Sequence, residues 1–299
     1  NLFDDRDFLV VNVDPFTGQL LNRRGEVRVT GALGIVRYPF GLYNRVEGGV
    51  GYVFRKLPLI RENPTPEDGR GIFLFEEVDD DFPLVQGGFT HDSTIFSNTG
   101  PVAGSRWNIS GTWAPGSDTE ARGSAYTQVT LDYRRYIPVT RRSGFALRGW
   151  GGAKFGNDEQ EPIDYFRLGG DNLRGFPFRS LVGDRAGFVT LEYRFPLLDV
   201  IATPVFGFRG IRGRVFFDVG AVWFDGLGAI REDANGRRFF ADFDFEEDGR
   251  LVDGIAVYGW GFTVNLGGLD LNWDFSKRWD GEQTLENSSE VTFYIGARF

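Results

Sequence analysis

The chain has 299 residues with 42 acidic and 33 basic side chains, a net charge of −9, no cysteine, no methionine and a single histidine. Those counts exclude a disulfide framework, a thiol nucleophile, a cysteine metal site and a multi-histidine relay, and the acidic balance argues against nucleic acid as a partner. Mean hydropathy is −0.25 despite 30 phenylalanines and 7 tryptophans, and no apolar run approaches the roughly 18 residues of a membrane-crossing helix.

Apolar residues instead fall at alternate positions between Gly, Pro, Asn and Asp, the weak repeating pattern of an antiparallel β-barrel that crosses a membrane with strands. The first residue is Asn1, so a processed chain or a piece of a longer one is expected, and no signal peptide is visible. Residues 1–21 offer one short strand at Phe8 to Val13. Glu26 to Phe40 is a clearer strand, ended by Pro39, which cannot donate into a ladder. Tyr43 to Arg55 returns from it as the second arm of a hairpin.

Leu57 to Asp81 reads as a first long loop, with PTPEDG inside it and Phe73 to Glu77 as a short strand or helix. Strands follow at Leu84 to Asp92, Gly104 to Trp113, Ser124 to Pro138 and Phe145 to Lys154. His91 closes the first of these in THDS. It reads as a hydrogen-bonded strand-end histidine, since no nucleophile on a glycine elbow stands near it.

Tyr165 to Asp184 is a glycine-rich loop with one arginine, Arg174, between Leu173 and Gly175-Phe176. The strand Ala186 to Phe195 then alternates: Phe188 or Val189 starts an apolar phase through Leu191, Tyr193 and Phe195, and Glu192 lies in the polar phase. Gly213 to Phe224 places Val215, Phe217, Val219, Ala221 and Trp223 in one phase and Asp218, with Phe216 beside it, in the other. Two arrangements fit this spacing. Arg174 folds inward between Glu192 and Asp218, where its fork suits paired carboxylates, or it sits on an exposed turn and the acids are solvated.

An acidic loop follows, Asp225 to Asp253, whose DFDFEEDG run lacks the ligand spacing of a calcium loop and reads as solvated. The acids Asp79-Asp80-Asp81 are given the same loop reading. Ala256 to Leu266, Leu269 to Phe275 and the closing VTFYIGARF alternate again, the last with Val291, Phe293, Ile295, Ala297 and Phe299 outward. No amphipathic helix is present to cover these apolar faces, and a closed sheet in lipid gives them a solvent. The polar phase, with Arg194, Arg214, Asp270 and Asp274, is then expected to face a lumen, and Tyr193, Trp223, Trp260 and Trp273 the lipid or its interfaces.

LRGF after Gly-Gly, the strand VTLEYRFPL and the strand VFFDVGAVW together resemble the sixth-loop region of BamA/TamA-type outer-membrane barrels, the surface-antigen-like superfamily. The resemblance covers most of the chain and is strongest from about residue 120 onward. The hairpin turn YPFGLYNRVE is similar to turns in the variants that follow a TolB-like propeller. The resemblance implies that Leu173, Arg174, Gly175 and Phe176 form a motif loop, spanning about 156–185, tucked into the lumen. Its partners would be Glu192, Phe216 and Asp218. Leu173 departs from the valine or isoleucine common in the family.

The resemblance also implies that Phe293, Ile295 and Phe299 form a terminal signal read by the barrel-assembly machinery. Family barrels usually have sixteen strands, so about twelve here would leave about four upstream strands and any periplasmic domain outside the chain. The implied fold is an all-β transmembrane barrel in the bacterial outer membrane, in contact with lipid and lipopolysaccharide. The implied work is insertion or translocation of client proteins, with no catalytic residue and no cofactor. An anchoring barrel for a periplasmic domain or partner complex, or a loop-plugged passive channel, are the alternatives, and a second chain could supply the missing strands.

Overall fold

The computed structural model describes residues 2–9, 25–62, 73–97, 100–115, 125–156, 166–170, 172–198, 201–202, 207–232, 238–266, 269–285 and 288–296. Among them, twelve strands lie side by side in chain order in one sheet. They are β1 (Leu2–Leu9), β2 (Gly25–Pro39), β3 (Asn44–Glu62), β4 (Phe73–Asp92), β5 (Gly100–Ala114) and β6 (Tyr126–Pro138). The series continues with β7 (Gly144–Phe155), β8 (Arg185–Leu198), β9 (Gly207–Trp223), β10 (Ile255–Leu266), β11 (Leu269–Trp279) and β12 (Glu290–Ile295). Every neighbouring pair is antiparallel, so tight turns at one end alternate with longer connections at the other. Among the described residues no pairing joins β1 to β12, and the sheet is open there.

The two faces have opposite chemistry. On β8, Val189 and Leu191 are 51% and 44% exposed while Thr190 and Glu192 are each 2% exposed. The outward set continues with Val215 and Phe217 on β9, Tyr258 and Trp260 on β10, and Val291, Phe293 and Ile295 on β12. The buried set is rich in polar side chains, Arg214 and Asp218 on β9, Thr263 on β10 and Asn272, Asp274 and Ser276 on β11, beside a few apolar ones such as Phe216 and Val257. A water-soluble sheet would bury the first set and solvate the second. Apolar outside and polar inside is the distribution demanded of strands with hydrocarbon on one side.

Outward aromatics pack in cross-strand pairs. Trp260 stacks on Phe275 with ring centroids 4.4 Å apart, and Phe262 stacks on Trp273 at 5.1 Å, each pair opposite in register.

Several expectations change. The stretch Leu57 to Asp81 is not a loop throughout: β3 runs on to Glu62 and β4 starts at Phe73. The register sets Arg55 opposite Asp80, Lys56 opposite Asp79 and Phe54 opposite Asp81, so the three acids read as a solvated loop belong to a ladder, two of them opposite basic residues. The first described strand is Leu2–Leu9, which contains Phe8 and Leu9 of the expected Phe8 to Val13, and residues 10–13 lie outside the described ones. Phe188 belongs to the inward phase, 4% exposed, so the outward phase begins at Val189. Pro196 falls where β8 loses register with β9, between Pro196 and Leu198.

Candidate functional site

The connection between β7 and β8 turns back onto the inner face of the sheet. Its described part is a narrow hairpin, with Phe166–Leu168 paired to Leu181–Gly183. Leu168 and Leu173 are buried against Ala186 and Phe188, with Trp150, Phe166 and Phe176 around them. This apolar knot accounts for the inward Phe188: it holds the loop to the wall. Space for it is left by Gly152, where a Cβ would lie 2.6 Å from Phe166 Cζ.

The tip carries Arg174, 1% exposed, about half-way down the sheet beside Glu192. Glu192 stands seven positions along β8 from its first residue, Arg185, roughly 20 Å of strand. Gly175 makes the approach possible in two ways. Its φ of +75° is left-handed, and a Cβ there would lie 3.3 Å from both Val257 Cγ1 and Arg278 Cγ. The amide of Gly170 donates to the carbonyl of Phe176 at 3.0 Å and closes the tip.

Three carboxylates surround the guanidinium. Arg174 Nη2 donates to Glu192 Oε1, and Nε lies 3.5 Å from both Asp218 Oδ2 and Asp274 Oδ2. The guanidinium carbon lies 3.7 Å from the centroid of the Phe216 ring, a cation–π contact. Each flanking acid is shared outward. Glu192 Oε2 accepts from Arg194 Nε at 2.9 Å, and Asp274 Oδ1 accepts from Arg214 Nε at 2.7 Å. Arg214 also donates to Thr263 Oγ1 at 2.7 Å and Asn272 Oδ1 at 3.1 Å. Three arginines (174, 194, 214) thus meet three carboxylates (192, 218, 274), and the cluster balances its own charge.

Strand β10 supplies the room. Its Gly259 and Gly261 alternate with outward Trp260 and face the cluster. A Cβ at Gly259 would lie 2.7 Å from Phe216 Cζ, and one at Gly261 would lie 3.1 Å from Arg214 Nε and collide with Asp274. The register explains why: Phe216 is opposite Gly259 and Asp274 opposite Gly261. Phe216 and Asp274 therefore reach across a glycine floor to the loop.

The geometry thus brings Leu173, Arg174, Gly175 and Phe176 together with Glu192, Phe216 and Asp218. Sequence reasoning left out Asp274 as a direct partner, the Arg214 brace and the two inward glycines. Their signal was present, since Asp274 shares the polar phase of Asp270 and Asn272, and YGWG places glycines in the inward phase of β10. Phe293 and Ile295 point outward at 51% and 61% exposure, while Phe299 lies outside the described residues.

His91 is away from the cluster, with Nδ1 2.8 Å from Asn44 Oδ1 and its ring stacked on Trp107. In the 225–253 segment, Arg231 holds Asp253 through two contacts of 2.9 Å, and two small ladders, Ala229–Glu232 with Arg238–Ala241 and Glu246–Glu247 with Arg250–Leu251, order the chain. Among the described residues no set of three or more His, Cys, Asp or Glu is placed to hold a metal ion. The three acids that do converge hold Arg174.

The comparisons agree with one another. The Omp85 superfamily domain matches residues 21–299. BamA of Haemophilus ducreyi lacking POTRA domains 1-3 superposes with a TM-score of 0.66 at 20% identity, covering 91% of this chain and 54% of that one. CdiB of Escherichia coli gives 0.51 at 15% identity, covering 98% and 48%, and CdiB of Acinetobacter baumannii gives 0.51 at 12%, covering 98% and 45%. The chain therefore spans about half the length of these solved proteins.

Proposed function

Because the chain belongs to the Omp85 superfamily, we propose that it forms part of a bacterial outer-membrane barrel that inserts or translocates other proteins. The observation that carries this reading is the loop locked to the inner face by Arg174. It lies against the inner face, held by the apolar knot of Leu168 and Leu173 and by the ion pairs of Arg174. A loop held inside the wall suits a protein whose substrates pass at or beside that wall better than one with an open pore. Such work needs positioning rather than catalytic residues, so no enzymatic role is assigned.

The test is reconstitution. The full-length protein in liposomes should accelerate insertion or passage of an unfolded outer-membrane client over empty liposomes, and Arg174→Ala should lower that acceleration. Liposomes that conduct ions but leave client insertion at the empty-liposome rate would replace this reading with the passive channel. Protein that does neither, but retains a periplasmic partner complex at the membrane, would favour the anchoring barrel.

A further inference from the structure

Between β4 and β5 the chain does not turn straight back along the wall. β5 pairs with β6 as far as Gly104, opposite Tyr136. Its first residues, Gly100–Ala103, pair among the described residues with Ile95–Ser97 alone and form a small hairpin. The departure falls on Gly104, whose φ of +93° is left-handed. A Cβ there would lie 2.1 Å from the Ser93 carbonyl oxygen, so glycine lets the two arms meet. The base is pinned beside it, where the Ser93 amide donates to the Ser105 carbonyl at 2.8 Å.

The hairpin leans over the inner face. It borders a cavity of about 360 Å³ at the tight-turn end, lined on one side by Pro101, Val102 and Ala103 and on the other by Arg212, Asp270 and Tyr294. In the sheet, β6, β7 and β8 lie between β5 and β9. A Cβ at Gly100 would nevertheless lie 3.9 Å from Arg212 Nη1 on β9, so the hairpin reaches across the interior rather than along the wall. Arg212 is held in turn by Asp270, with Nη2 3.1 Å from Oδ2. We propose that this hairpin is a hinged lid over the tight-turn mouth of the cavity, with Gly104 as its pivot and the Arg212–Asp270 pair as the rest on which it closes. Its own hold is weak. Pro101 has no amide to donate, the ladder slips register between Ile95 and Phe96, and both of those side chains are exposed. A two-stranded ribbon without a packed face is marginal in water, so opening at the hinge takes far less free energy than unfolding the wall. The lid serves the barrel in any of the roles above.

The chain has no cysteine, so introduced cysteines report without background. Thr263→Cys places a thiol on the far wall of the cavity. The full-length protein in detergent is treated with a small neutral methanethiosulfonate, with the native hairpin or with residues 95–103 replaced by Gly-Gly. Loss of the hairpin should speed labelling of Thr263→Cys at least about tenfold. Gly104→Ala, which forces the arms apart without shortening the chain, should give a rate between the two. Ala186→Cys, buried in the apolar knot at the opposite end, should label at the same slow rate in all three backgrounds. The hinge is read from spin-label distances between Phe96→Cys on the hairpin and Arg141→Cys on the β6–β7 turn. Removing the rest by Arg212→Ala should shift that distribution toward longer distances. Thr263→Cys labelling that changes by less than about twofold without the hairpin, or an equal acceleration at Ala186→Cys, would overturn the lid. A distance distribution unchanged by Arg212→Ala would overturn the hinge.

Discussion

Asp274 on β11 and Arg174 on the β7–β8 loop meet with 3.5 Å between Oδ2 and Nε, and the same carboxylate accepts from Arg214 through its other oxygen. The loop is thus tied to β8 and β9 through Glu192 and Asp218, and also to β11. A contact that reaches β11 must cross β10, and the glycines of that strand allow it. The lock is a property of four strands together.

Replacing Arg174 by alanine should leave Glu192, Asp218 and Asp274 facing one another in a buried space. The expected destabilisation is roughly 3–5 kcal/mol, reduced by any water that enters. Limited proteolysis should show new cleavage between Gly169 and Asp184 with the strand signal in circular dichroism intact. Arg174→Lys should rescue only in part, because a point charge cannot serve Glu192 and two aspartates while stacking on Phe216. An unchanged cleavage pattern in both variants would remove the locking role.

Gly175→Ala should give a milder version of the same phenotype. The left-handed φ costs a side-chain-bearing residue about 1–2 kcal/mol, and the 3.3 Å contacts with Val257 and Arg278 require small shifts. The loop cleavage rate should fall between those of the native protein and Arg174→Ala.

Gly259→Ala probes the floor without touching a charge. The new Cβ would press on the Phe216 ring and on the backbone of β11, so Phe216 should move from the guanidinium face. The measurement is loop protease sensitivity in Gly259→Ala against Trp260→Ala, whose side chain points outward. Equal sensitivity in the two would show that the inward glycine is not needed for the lock.

Asp280, just past β11, caps the turn that follows. Its carboxylate accepts from the Gln283 amide at 2.8 Å, from the Glu282 amide at 3.1 Å and from Arg250 Nε at 2.8 Å. The backbone bond from Gln283, followed by that from Glu282 and the charge of Arg250, holds its pKa below the usual carboxylate value. A lowered folded pKa contributes stability that is present above the unfolded value of about 3.9 and is lost as pH falls through the depressed value. Hydrogen exchange over residues 280–285 should therefore lose protection below about pH 4, and Asp280→Asn should lack that acid step. An acid step of the same size in the variant would assign it to another group.

Deleting Phe299 should lower the outer-membrane yield in cells more than it lowers the thermal midpoint of protein refolded in detergent. Equal yield with and without Phe299 would remove the terminal-signal role.

The period-two patterns of β8 and β9 determined by themselves that Glu192 and Asp218 lie on one face and Leu191, Val215 and Phe217 on the other, because alternation is a local property of an extended chain. The same local logic set the twelve-strand order, with seven strands before the loop and five after it, since turn residues punctuate each return. It failed where the signal was not local. Leu57 to Asp81 looked like a loop because its charges are solvent-like one by one, and only pairing Arg55 with Asp80 and Lys56 with Asp79 shows a ladder.

Phe188 could be assigned to either face until Leu168 and Leu173 came down beside it. Whether Arg174 lay inside or on an exposed turn could not be read from spacing, because a fork pairs with any acids the fold delivers. Asp274 joined the cluster through the β9–β10–β11 register, which sets Phe216 over Gly259 and Asp274 over Gly261. Register is decided by the whole sheet, whereas phase belongs to each strand alone, so the sequence could name the inward acids but only the tertiary structure could bring three of them to one arginine.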